Sequence, residues 1–256
     1  MKIILVYHEH NFESFVDKVY DYLTDKSVEV IKRERQCMSS ECYKDTDFVV
    51  VIGGDGTFLR ASHMNKDVPM FGINPEPSKK EGFFMQSTIE DYEKFLDKIL
   101  NGKYDVVDLM RLSVLIDDKM IPEFILNDIF IGDEKPYNMF NYNIEINDKK
   151  DFHRGSGLLV GTPAGSHAWL KSAGGQIMEI TERKYQYVAR DLYRGRLTSG
   201  FKLIKDVLSG EEIIKVFPNN SGILVVDSVS QEYRFEKGSE IVIKKSGYDL
   251  KYLQFN

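Results

Sequence analysis

The chain has 256 residues, 42% apolar, 12% aromatic and 29% charged, the make-up of a globular protein with a substantial core. With 34 Lys and Arg against 40 Asp and Glu the formal charge is −6, and no long basic run is present to neutralise a nucleic-acid backbone. No apolar stretch approaches the roughly 20 residues of a membrane-spanning helix, and the apolar start Ile3 to Tyr7 is too short for a secretory leader. No nucleic-acid partner, no membrane and a cytoplasmic location are expected. Cys37 and Cys42 are too few for a disulfide framework or a zinc site and read as spectators. His8, His10, His63 and His153 lack metal-ligand spacing and read as surface or ordinary polar positions, so no protein-held metal site is expected.

In chain order, Ile3 to Tyr7 reads as a strand. Asn11 is placed to cap a helix whose apolar residues Phe12, Phe15, Val16, Val19, Tyr20 and Leu23 recur at helical spacing. Val28 to Ile31 is a second strand. Phe48 to Ile52 is apolar throughout, as in a central parallel strand covered on both faces, and Pro69 to Ile73 gives another. Thr88-Ile89-Glu90-Asp91 opens a helix that runs to a stop near Gly102. Alternating strands and helices predict a Rossmann-like α/β domain with a parallel sheet over residues 1–103.

From residue 104 the texture is mostly β, with turn residues between short apolar runs: Leu112 to Ile116, Phe124 to Leu126, Ile129 to Ile131, Tyr142 to Ile146, Ile223 to Val226, Tyr233 to Phe235, Ile241 to Ile243 and Tyr248 to Phe255. Helices are expected at Ala168 to Ala173 and near Tyr185 to Tyr193. This second domain is assigned to 104–256, with the last residues free to return to the first.

Three stretches carry chemistry. Gly53-Gly54-Asp55-Gly56-Thr57 follows the buried strand, where glycines let backbone N–H groups approach an anion and a helix N-terminus adds positive partial charge. A carboxylate there repels phosphate unless it serves phosphoryl transfer by orienting or deprotonating a hydroxyl; a plain Gly-rich turn is the other reading. Thr162-Pro163-Ala164-Gly165-Ser166-His167-Ala168-Trp169 is a small-residue loop in which Ser166 is placed to cap a short helix. Trp169, the single tryptophan, suits either stacking on a base or a place in the core. Asn127-Asp128, inside an apolar run, suits either a ribose or a strand-end turn. Arg190, Arg194 and Arg196 are open between donor phosphates and a solvated helix face, and Asp227 between a turn and a pocket wall.

Taken together, these stretches resemble the NAD kinase family. The Gly-Gly-Asp-Gly-Thr run, Gly72-Ile73-Asn74, the Asn-acid pair, Thr-Pro-x-Gly-Ser-x-Ala-aromatic and Ser172-Ala173-Gly174-Gly175 fall in the family's order, and details such as Glu81-Gly82 and Ser156 are similar to its mitochondrial-type branch. The resemblance implies an enzyme that phosphorylates the adenosine-ribose 2′-hydroxyl of NAD, or of NADH, with ATP or polyphosphate. It implies Asp55 as the activating acid, with Gly54, Gly56 and Thr57 on the donor phosphates. Asn127, Asp128, Thr162, Ser166, His167, Ala168, Trp169 and Ser172 would then be on NAD. It further implies Mg²⁺ brought with ATP, and a homodimer or homotetramer assembled through the β domain. Ser156 replaces the family's usual Asp, and His167 stands where many relatives have Thr. Two alternatives are carried: a non-catalytic NAD-binding sensor on the same fold, and a lipid kinase of the same superfamily, whose Gly-Thr-x-Asn-Asp stretch is absent here.

Overall fold

The computed structural model describes residues 1–8, 12–196, 200–229 and 231–255; the expected cap Asn11, and His10, lie outside the described residues. The chain divides into two compact units, Met1–Asp108 with Asp249–Asn256, and Leu109–Tyr248.

The first stretch alternates β1 (Lys2–Tyr7), α1 (Glu13–Asp25), β2 (Glu29–Glu34), β3 (Phe48–Ile52), α2 (Asp55–Ser62), β4 (Met70–Asn74), β5 (Ser87–Thr88), α3 (Tyr92–Leu100) and β6 (Asp105–Leu109). The sheet runs β2-β1-β3-β4, then the chain's last strand Leu250–Gln254, then β6, with β5 beside β4. The pairs β1–β2, β1–β3, β3–β4 and β4–β5 are parallel. Every residue of β3 and β4 is buried, so helices and loops cover both faces and neither strand shows alternation. Helix α1 buries the stripe Phe15, Val16, Val19 and Leu23. Helix α3 starts at Tyr92, later than expected: the Asp91 carboxylate accepts hydrogen bonds from the Thr88 N–H (2.7 Å) and Ser87 hydroxyl (3.0 Å), folding Thr88 to Asp91 into a turn that leaves Ile89 exposed. Gly102, at φ +66°, ends the turn that follows it.

The second unit holds β7 (Leu112–Ile116), β8 (Lys119–Met120), β9 (Asp128–Gly132), β10 (Phe140–Ile146), β11 (Lys149–Gly155), β12 (Gly157–Gly161), α4 (Trp169–Ser172), β13 (Lys184–Arg190), β14 (Lys205–Ser209), β15 (Ile214–Pro218), β16 (Gly222–Val226), β17 (Gln231–Phe235) and β18 (Ile241–Lys245). Two six-stranded sheets, β11-β10-β15-β18-β7-β8 and β14-β13-β12-β9-β16-β17, share one core. Strands β10, β15 and β16 alternate buried and half-exposed residues, the two-residue period of a sandwich face.

Three expectations are corrected. Tyr185 to Tyr193 is not a helix: Lys184–Arg190 is strand β13, paired with β12 and β14. Tyr185, Tyr187 and Ala189 enter the sandwich core while Val188 packs on the opposite face against Leu159 and Leu170. With both faces covered, the alternation is hidden in the sequence. Phe124 to Leu126 forms only a single bridge, Ile125 to Leu112. His63 is buried, and His153 is wholly buried, its ring nitrogens 3.0 Å from the Tyr142 hydroxyl and 3.2 Å from the Asp151 carboxylate.

Candidate active site

The first candidate site grows out of β3. After Ile52 the chain turns at Gly53-Gly54 into α2, so Asp55, Gly56 and Thr57 are the first helical turn rather than a loop. Space favours glycine at the first of these positions: a Cβ on Gly53 would lie 2.7 Å from Thr57 Oγ1, whereas one on Gly54 would meet only the Lys80 side chain, 3.2 Å from its Cδ. The first N–H groups of a helix have no intrahelical acceptor and lie at the positive end of its dipole, so this turn attracts anions.

A cavity of about 400 Å³ opens here, lined by Gly54, Asp55, Gly56, Thr57 and two cations, Arg35 and Lys80. Arg35 Nη1 donates to Thr57 Oγ1 at 3.5 Å, and its Nε is buried without a partner. Burial, and then the charge of Arg60, push the guanidinium pKa below its ordinary value; a bound anion would relieve both penalties. Lys80 Nζ lies 3.2 Å from the Glu76 carboxylate and 4.9 Å from the Phe12 ring centroid.

Asp55 is held from the neighbouring loop. Its Oδ1 accepts from the Phe84 N–H at 2.9 Å and its Oδ2 from the Phe83 N–H at 3.0 Å. Two of a carboxylate's roughly four acceptor sites are used in this way, which fixes its orientation and leaves acceptor capacity for a hydroxyl proton. The loop is itself fixed. Asn74 donates to the Lys80 carbonyl (2.9 Å) and accepts from the Glu76 N–H (3.0 Å), Gly82 adopts φ +67°, and Phe84 stacks on Phe58 of α2 at 5.0 Å.

The second candidate site lies at the start of β9. Asn127 and Asp128 meet the loop after β12: the Thr162 N–H donates to the Asn127 carbonyl at 3.0 Å, and the Thr162 hydroxyl donates to the Leu126 carbonyl. A Cβ on Gly165 would lie 2.0 Å from the Asn127 carbonyl oxygen, so only glycine lets the loop close on this peptide. From the end of β16, Asp227 accepts three backbone N–H bonds, from Leu126 (3.1 Å), Asn127 (2.7 Å) and Asp128 (3.1 Å). Asp128 is 2% exposed and accepts from the Ser228 hydroxyl at 3.3 Å. Burial first, and the Asp227 charge second, push its pKa up to about 7. The Asn127 Oδ1 is buried with no partner, an acceptor awaiting a donor.

Trp169 lies half-buried, 5.3 Å from the Phe130 ring, with the Arg190 guanidinium 5.0 Å from its centroid. These three, with Ser156 and Ser228, line a cavity of about 520 Å³. One further loop hydroxyl turns inward. Ser166 sits inside the 3-10 turn Gly165–His167 and caps nothing; its hydroxyl donates to the Pro163 carbonyl (2.6 Å) and accepts from the Met178 N–H (2.9 Å).

An ATP-NAD kinase N-terminal domain model matches residues 3–104. A probable NADH kinase of Oryza sativa subsp. japonica is 31% identical over 90% of this chain and 78% of its own length. An NAD kinase of Thermococcus sibiricus is also 31% identical, over 93% of this chain and 88% of its own. The chain belongs to the NAD kinase family. Among solved structures, an NAD kinase from Archaeoglobus fulgidus in complex with ATP superposes with a TM-score of 0.81 at 27% identity, covering 100% of this chain and 94% of that one. Yeast NADH kinase complexed with NADH shares the fold at a TM-score of 0.81 and 15% identity, covering 100% of this chain and 84% of that one.

Within this family frame, the residues expected from the sequence fall into two groups. Asp55, Gly54, Gly56 and Thr57 gather at one cavity, and Asn127, Asp128 and Thr162 meet at one junction. Trp169 lines the second cavity, whereas His167 and Ser172 are exposed, His167 Nε2 pairs with the Met178 carbonyl at 3.0 Å, and Ala168 is half-buried. Nothing in the local sequence separates Arg35 and Lys80 at the first cavity from other surface cations, while His8, read as a surface or ordinary polar position, lines the same cavity. Asp227, left open between turn and pocket, is the anchor of the Asn-Asp pair. Arg190 ends β13 and packs on Trp169, while Arg194 and Arg196 are exposed beyond that strand and lie on no helix.

Proposed function

We propose that this chain transfers the terminal phosphoryl group of ATP to the adenosine-ribose 2′-hydroxyl of NAD, with Asp55 taking the hydroxyl proton. The observation that carries this reading is a carboxylate held by two N–H donors inside a cavity otherwise built for anions, with a helix N-terminus, Arg35 and Lys80 around it. A pure phosphate cradle has no use for that carboxylate; a phosphoryl-transfer site does.

The donor phosphates lie on the Gly54-Asp55-Gly56-Thr57 turn, with Arg35 and Lys80 countering charge as it shifts to the leaving oxygen. The 2′-oxygen forms its bond to the terminal phosphorus, the bond to the diphosphate oxygen breaks, and the proton passes to Asp55. Asn127 and Asp128 hold the acceptor's ribose side, and the unpartnered Asn127 Oδ1 receives a donor from it. Ser166, Ala168 and Thr162 shape the loop beneath; Trp169 offers its face to the rest of the dinucleotide. Among the described lining residues Asp55 is the one carboxylate at the donor cavity, and no cluster of three His, Cys, Asp or Glu is placed to hold a metal among the described residues. A single carboxylate beside the phosphate-binding turn is a setting that Mg²⁺ carried in on the donor phosphates would fit, and the ion would there neutralise phosphate charge.

The reading includes a cytoplasmic setting and a homodimer. No helix among the described residues is long and apolar enough to cross a membrane. The test is NADP formation from ATP, Mg²⁺ and NAD, read with an NADP-specific dehydrogenase beside Asp55→Asn. A loss of a hundredfold or more, the order expected for general-base help, is the expected result; full activity in the variant removes Asp55 as the base.

A further inference from the structure

We propose that Cys37 and Cys42 form a reversible, peroxide-driven disulfide that weakens donor binding by moving Arg35. The inference rests on the reading of the first cavity as the donor site.

The two cysteines lie on consecutive 3-10 turns of the connector between β2 and β3, Arg35–Cys37 and Ser40–Tyr43. Cys37 is exposed, Cys42 is half-buried, and both are free thiols lining one surface depression with Arg33, Ser39 and Glu41. Cys42 Sγ donates to the Cys37 carbonyl oxygen at 3.8 Å and lies 3.6 Å from the Ser39 hydroxyl. A carbonyl oxygen is only ~2.4 Å from its own Cα, which puts Cys42 Sγ within about 6 Å of Cys37 Cα. That is near the span a disulfide covers, so bridging the two sulfurs calls for a rotamer change and a movement of one turn toward the other.

The two turns are not equally free to make that shift. Tyr43, next to Cys42, is buried and its hydroxyl donates to the Ala61 carbonyl of α2 at 2.5 Å, so the second turn is anchored. The first turn carries Arg35, two residues before Cys37, and its Nη1 reaches Thr57 Oγ1 only at 3.5 Å. Drawing Cys37 toward Cys42 displaces the weakly held partner. The guanidinium that countered donor charge leaves its place, while Asp55 and the Asn127-Asp128 junction are untouched.

The chemistry balances with a hydroperoxide as oxidant. The exposed Cys37 thiolate attacks a peroxide oxygen, the O–O bond breaks, and the leaving hydroxide takes a proton to become water, leaving a sulfenic acid. Cys42 sulfur then attacks the Cys37 sulfur; the S–S bond forms, the S–O bond breaks, and a second water leaves with the Cys42 proton. Two thiols lose two hydrogens, one hydrogen peroxide becomes two waters, and a dithiol reverses the change.

The test treats the full-length protein with hydrogen peroxide, then maps thiols by alkylation and peptide mass and measures steady-state kinetics before and after dithiothreitol. The expected result is an intramolecular Cys37–Cys42 crosslink, a KM for ATP raised about tenfold with KM for NAD unchanged, and recovery on reduction. Cys42→Ser and Cys37→Ser should keep basal activity and lose the peroxide response. Two thiols still alkylated in full after peroxide, a crosslink only between chains, or an intramolecular crosslink with an unchanged KM for ATP would each overturn the proposal. Reduced protein that makes no NADP refutes the kinase reading instead; the crosslink is still read by mass, and its effect by ATP binding in calorimetry.

Discussion

Asp128→Asn should stabilise the protein in a way that grows with pH. In the folded chain the Asp128 carboxyl is 2% exposed, close to the Asp227 carboxylate, and its pKa rises from 3.8 to about 7. A carboxylate whose folded pKa is raised works against folding once it ionises. The unfolded chain releases the proton near pH 4, but the folded chain holds it until about pH 7. Between those values the folded state binds the extra proton, so wild-type stability falls with rising pH across that window and levels off above it. Three units correspond to about 4 kcal/mol at most; we expect about 2–4 kcal/mol at pH 8 and little difference below pH 4. For a chain of this size that is a Tm difference of about 5–10 °C. Asparagine keeps the acceptor for the Ser228 hydroxyl and removes the charge, so the perturbation is confined to the electrostatics. Thermal denaturation of both proteins at half-unit steps from pH 4 to 8 reads it. Parallel curves, or a variant that loses stability at pH 8, would refute the account of this buried pair. The same variant should raise KM for NAD, since the proposed acceptor contact is weakened, and so trade function for stability.

Asp227→Ala removes the shared acceptor of three backbone N–H groups, and a destabilisation of about 3–5 kcal/mol is expected in urea denaturation, together with loss of NAD binding. Gly165→Ala places a methyl 2.0 Å from a carbonyl oxygen, so the loop must retreat from Asn127; KM for NAD should rise at least tenfold while KM for ATP stays within twofold. Arg35→Ala should do the reverse, raising KM for ATP roughly 10–100-fold, as expected for one charge-assisted phosphate contact, with KM for NAD unchanged. An unchanged KM for ATP in that variant would remove Arg35 from the donor site.

The features legible in the sequence are the local ones. A fully apolar strand followed at once by Gly53-Gly54-Asp55 places an acid at a strand's carboxyl end, because strand, turn and helix start are contiguous and each obeys short-range rules. The β texture of the second half was legible for the same reason wherever one face is wet, as in the alternating β10. It failed at β13, where Val188 packs on one face and Tyr185 and Tyr187 on the other, and a strand covered on both faces loses its period. Which distant groups complete the candidate sites depends on how the chain folds. Asp227 reaches Asn127 across 100 residues and Arg35 reaches Thr57 across 22, contacts made by sheet pairing and helix packing that no local pattern encodes. The same is true of the Asp55 latch, whose donors, Phe83 and Phe84, lie 28 and 29 residues away. Residue types announce which chemistry is available, and the register of the sheets determines which of those residues share a site.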